Sequence, residues 1–143
     1  RPAVPPAPLR LGSAHLGLAL APNGLDVSEP LSALPPTRAV RLHAVAAVQA
    51  PAGLAEGVRH VWSVDGDVVF ESRVIGITGG RGRGFRSRSA VSLHGLGAGR
   101  RVRLEVETAR GQLIGRAELR VEGLPPVPQS ARGSGRPPSD RQL

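Results

Sequence analysis

Val58-Arg59-His60-Val61-Trp62-Ser63-Val64, then Asp65-Gly66, then Asp67-Val68-Val69-Phe70-Glu71 is the stretch that decides the fold. Val58, His60, Trp62 and Val64 alternate with Arg59, Val61 and Ser63, which is the period-two pattern of a β-strand. Asp65-Gly66 is a tight hairpin signal, because a type I′ turn needs positive φ at both central positions. Val68 to Ile77 then returns as the partner strand, with Val68 and Phe70 on one face. Val74 and Ile75 are adjacent apolar residues, so the buried face switches near Ser72, as a β-bulge would allow.

Working outward, Val102, Leu104 and Val106 form a strand with Arg101, Arg103, Glu105 and Glu107 on its other face. Ala109-Arg110-Gly111-Gln112 turns the chain. Leu113, Gly115, Ala117, Leu119 and Val121 run back, with Arg116, Glu118, Arg120 and Glu122 outside. Charges on these two outer faces can pair across the strands, each pair worth at most about 1 kcal/mol. Upstream, Val40, Leu42, Ala44, Ala46 and Val48 mark one face of a strand over Ala39 to Gln49, with Arg41 and His43 on a solvated face. Phe85-Arg86-Ser87-Arg88-Ser89 alternates on toward Val91 and Leu93 as a further strand, followed by the glycine-rich turn at 94–99.

Short strands and frequent turns suit the composition, which has 19 Gly and 14 Pro in 143 residues. The expected fold is all-β: a small antiparallel β-sandwich, as an Ig-like or barrel-like sheet, with disordered termini. Residues 1–14 read as a proline-rich linker. Residues 15–38 are a lead-in segment with an extra strand at Leu16-Gly17-Leu18-Ala19-Leu20 and one helical turn near Ser28 to Leu34. The sandwich occupies 39–122, and 123–143 is a disordered tail. Aromatics make up only 2% of the chain, so the core rests on Val, Leu, Ile and Ala and its stability is expected to be modest.

All 19 basic residues are Arg, and Cys, Met and Tyr are absent. A GC-rich genome explains the missing Lys without any function. The net charge of +8 nevertheless makes nucleic acid, anionic lipid or an acidic glycan conceivable partners. Without Cys there is neither a disulfide framework nor a thiolate metal site. No apolar run reaches the roughly 20 residues of a spanning helix.

His60-Val61-Trp62, the Asp-Gly turn, Gly79-Gly80-Arg81, Gly84-Phe85-Arg86-Ser87-Arg88-Ser89 and Gly111-Gln112-Leu113-Ile114-Gly115-Arg116 occur here in an order that resembles the bacterial domain of unknown function 2914 family. That family shows a His-x-Trp strand, an Arg-x-x-Ser segment and a late glycine turn before the last strand. The likeness covers about Ala39 to Glu122. It implies the soluble C-terminal part of a membrane-anchored protein, with membrane helices upstream in the natural chain. It implies a location in the bacterial cell envelope, periplasmic or membrane-associated. It carries over no catalytic residue. Family relatives often hold a second Trp where this chain has Arg100-Arg101-Val102, which puts any two-tryptophan site in doubt.

Two features could carry chemistry. His60 and Trp62 share a face. On a core face they are packing residues; on an open groove they could stack on and hydrogen-bond a sugar or peptide. Arg81, Arg83, Arg86 and Arg88 fall within eight positions among glycines. Their guanidinium forks suit phosphate or carboxylate, and the alternative is a solvated face with one structural Arg. Nucleic acid is disfavoured because Phe85 is the one aromatic in this stretch, and the glycine loop lacks the Gly-Lys-Ser/Thr ending of a phosphate-binding loop. Ser63, His60 and Asp65 could be drawn as a triad, but no nucleophile-elbow context supports it. The expectation is therefore a non-enzymatic accessory or binding domain, without cofactor or metal, whose partner is another protein or an anionic ligand. The alternative is a basic domain that holds nucleic acid or anionic lipid by charge.

Overall fold

The computed structural model describes residues 9–53, 55–80 and 84–123. Nine strands follow one another: β1 (Arg10–Gly17), β2 (Ala33–Leu34), β3 (Thr37–Gln49), β4 (Ala55–Val64), β5 (Asp67–Glu71), β6 (Ile75–Thr78), β7 (Phe85–Leu96), β8 (Arg101–Thr108) and β9 (Leu113–Val121). They form two open sheets. The smaller runs β1-β3-β7; the larger runs β2-β9-β8-β4-β5, with β6 also paired to β4. Every pairing is antiparallel except the short parallel contact of β2 with β9. The chain is an all-β antiparallel sandwich.

The two sheets meet along the alternating apolar rows. From β3 come Leu42, Ala44, Ala46 and Val48; from β4, Val58, Trp62 and Val64; from β8, Val102, Leu104 and Val106; from β9, Leu119 and Val121. Each fully buried Val or Leu of this set contributes about 1.5–3 kcal/mol relative to exposure. The hairpin at Asp65-Gly66 has φ of 50° and 89°, both positive, as the two-residue turn requires. The Asp65 carboxylate accepts the Arg101 backbone N–H at 2.9 Å and also pairs with the Arg100 guanidinium, tying this turn to the start of β8.

The structure departs from the sequence expectation in four places. First, β1 begins at Arg10 and Leu9 is buried, so the strand lies across the boundary drawn at residue 14. A register shift between Leu11 and Ser13 explains why its first half is not legible in the sequence. Leu11 faces inward before the shift, and Ala14 and Leu16 face inward after it, so the apolar parity breaks at Gly12. Second, no helical turn forms near Ser28 to Leu34. Leu31 bridges Leu16, and Ala33-Leu34 join the edge of β9. Pro30 and Pro35 leave too few residues between them to close a helix. Third, the return from the hairpin is two strands, not one strand bulged near Ser72, and a register shift puts Phe70 opposite Trp62 but Val68 opposite Ser63, so the two do not share a face. β5 pairs with the end of β4 and β6 with its beginning, while Ser72 between them donates its N–H to the His60 carbonyl at 2.9 Å. Fourth, β7 continues through His94 and Gly95 to Leu96.

The outer face of the smaller sheet is only partly solvated. Arg41 is exposed and bonds Ser92, but Val45 and Ala47 further along β3 are buried. The segment after β1 folds back across them and buries Val27. Gly17 permits this close approach, because a Cβ there would lie 2.8 Å from Val27 Cβ. Of the termini expected at 1–14 and 123–143, residues 1–8 and 124–143 lie outside the described residues.

Candidate functional site

His60 and Trp62 project from β4 into the core, and both are fully buried. They meet Ser87 and Ser89, which alternation places on the inner face of β7. Four side chains thus link the two sheets by hydrogen bonds, and counting donors fixes every proton. Ser87 Oγ donates to the Ala46 carbonyl at 3.2 Å. Its oxygen is therefore free to accept from His60 Nε2–H at 2.9 Å. With Nε2 protonated, Nδ1 accepts, and Ser89 Oγ–H donates to it at 2.6 Å. The Ser89 oxygen then receives Trp62 Nε1–H at 2.9 Å. The chain runs in one direction, from indole to serine to imidazole to serine to backbone carbonyl. The His60 backbone N–H is held separately by Ser72 Oγ at 2.9 Å.

Burial pushes the His60 imidazole down to about 4, so the ring is neutral near pH 7. An imidazole so depressed is a weak proton acceptor, and both of its nitrogens are committed. What this arrangement does chemically is satisfy buried polar groups while fixing which strand of one sheet lies over which strand of the other. Nor do Ser63, His60 and Asp65 come together. Ser63 sits on the opposite face of β4 from His60, and the Asp65 carboxylate serves the turn.

Arg86 and Arg88 point the other way, from the outer face of β7. They line an open cleft of about 400 Å³ together with Asn23, Gly24, Leu25, Gly84 and Phe85. Gly84 has φ 84°, the left-handed turn that delivers the chain into β7. Arg88 Nη1 donates to the Gly24 carbonyl at 3.3 Å and so holds one wall of the cleft. Neither arginine forms an ion pair within hydrogen-bonding distance of a carboxylate among the described residues. Asp26 lies close by. Partial burial pushes its carboxyl up, but the hydrogen bonds from His15 and the Val27 N–H and the charges of His15 and Arg86 together hold it below its usual value. His15 Nδ1 approaches it at 2.9 Å.

The candidate residues therefore divide. His60 and Trp62 lie between the sheets; Arg86 and Arg88 lie on the far surface of β7; Arg81 and Arg83 fall outside the described residues. The later arginines belong elsewhere: Arg103 pairs with Glu118 at 2.6 Å on the outer face of the larger sheet. The wall at 23–25 was not anticipated as part of a site. The Pro22-Asn23-Gly24 turn was visible in the sequence, but nothing there says that it folds over a strand sixty residues later. No protein-family model matches this chain, and no curated protein sequence matches it.

Proposed function

We propose that this is a non-enzymatic binding domain that takes an anionic group of a partner in the Arg86–Arg88 cleft. The observation that carries the reading is the pair of guanidinium groups two residues apart on a rigid strand, at an open cleft, with no carboxylate ion-paired to them among the described residues. Such a pair offers charge-assisted, forked hydrogen bonds to phosphate or carboxylate. The family resemblance adds the setting: the soluble part of a membrane-anchored protein of the bacterial cell envelope, periplasmic or membrane-associated, meeting another protein or an anionic ligand there.

The net charge of +8 favours a second reading, in which nucleic acid or anionic lipid is held by charge alone. Titration calorimetry with inorganic phosphate tests the first. The wild type binds, and Arg86→Gln with Arg88→Gln weakens binding by at least about tenfold while the melting transition stays cooperative. Unfolding of the double variant would make these arginines structural. Binding of duplex DNA or anionic vesicles that falls steeply with salt, and that the double variant retains, would favour the second reading.

A further inference from the structure

At its β7 edge the smaller sheet stops short of the larger one. β7 lies over β4, as the His60 and Trp62 bonds to Ser87 and Ser89 show. In the larger sheet β5 and β6 lie beyond β4, and β6 also packs against part of β7, but in the smaller sheet no strand pairs with the far edge of β7 among the described residues. Phe70 on β5 stands opposite Trp62, and opposite residues of an antiparallel pair share a face. Phe70 therefore faces the core side, yet it is 41% exposed where Trp62 is 0% exposed.

The edge of β7 is suited to pairing in a way that β5 is not. From Arg86 to His94 β7 pairs with β3 without a register shift, so its other edge there offers an unbroken row of peptide groups. β5 is five residues long, carries a register shift, and is bounded by Asp67 and Glu71. These are usual devices that blunt an edge; β7 carries charge at Arg86 and Arg88, but it is 12 residues long and has no register shift against β3.

We propose that the β7 edge and Phe70 together accept an extended polypeptide segment in which acidic and apolar residues alternate, added as a fourth strand to the smaller sheet. This rests on the reading of the Arg86–Arg88 cleft given above and names the partner. A strand laid beside β7 sends alternate side chains to the two faces. Those directed inward cover Phe70; those directed outward lie beside Arg86 and Arg88. The net charge of +8 repels a second copy and attracts an acidic segment. Residues 1–8 and 124–143 lack the pattern: 1–8 holds four Pro, and 124–143 holds Arg132, Arg136 and Arg141 against Asp140.

The test uses a capped octapeptide of alternating Glu and Val, read by backbone amide hydrogen exchange of the whole chain. Binding slows exchange at alternate amides of β7 by about tenfold or more at saturation. Phe70→Ser and the Arg86→Gln, Arg88→Gln pair each weaken binding, whereas Val68→Ser, on the outer face, does not. A peptide N-methylated on its pairing edge does not bind. The proposal is overturned if β7 amides gain no protection, if Phe70→Ser has no effect, or if an oligoglutamate without the Val positions binds equally well. Inorganic phosphate separates the two failures. Phosphate binding without peptide binding sinks the strand proposal alone, and loss of both sinks the cleft itself.

Discussion

Ser89 satisfies two buried groups at once, the Trp62 indole N–H and the His60 Nδ1. Ser89→Ala leaves both without a partner, and we expect a loss of about 2–4 kcal/mol in urea unfolding. Ser92→Ala on the outer face of the same strand should cost about 0.5 kcal/mol or less. The His60 ring gives a second prediction, in pH. Its pKa is about 4 in the fold against 6.5 unfolded, so the unfolded chain takes up the proton first. This contribution is complete above 6.5 and is lost as pH falls through the window from 6.5 to 4. The loss reaches about 3 kcal/mol at the bottom of the window. Unfolding curves at pH 7 and pH 4 check it, and His60→Gln should flatten that part of the profile. At this scale the sequence could place His60 and Trp62 on one face, because alternation is local. It could not say which face was core, because Ser87 and Ser89 are distant in the chain and serine carries no burial signal of its own.

Strands were legible wherever one parity held throughout. β8 and β9 have inner and outer rows that alternate over most of their length and match the sequence reading except at Leu113, which the register shift at Glu107 turns outward, with Ile114 packing on the core instead. The lead-in strand expected at Leu16 to Leu20 lies instead at Arg10–Gly17, because a register shift splits its apolar row, and β5 and β6 read as one strand because the residues between them still run along β4. Close packing of elements supplies a further prediction. Gly115 on β9 faces Leu11 on β1, and a Cβ there would lie 2.8 Å from Leu11 Cβ. Gly115→Ala should therefore force the two sheets apart at that corner and cost about 1–3 kcal/mol. Gly76, with nothing within 4 Å of the same position, should accept Ala without loss. Thermal melts of the two variants decide it.

For the molecule as a whole, the two sheets divide the candidate residues between a buried clamp and an outer cleft. The sequence leaves open whether His60 and Trp62 face the same groove as the arginines. The sandwich separates them because β4 and β7 belong to different sheets, and alternation on β7 sends its serines inward and its arginines outward. A Val, Leu, Ile and Ala core with one Trp needs no ligand at that Trp to be complete; the cleft faces solvent. The chain's one indole N–H therefore makes a clean reporter. The most direct test is a phosphate titration followed by backbone and indole N–H resonances. The account predicts shifts at 23–26 and 84–88 with the Trp62 indole signal unmoved. A moving Trp62 signal with silent 84–88 amides would contradict it, and would place the site between the sheets.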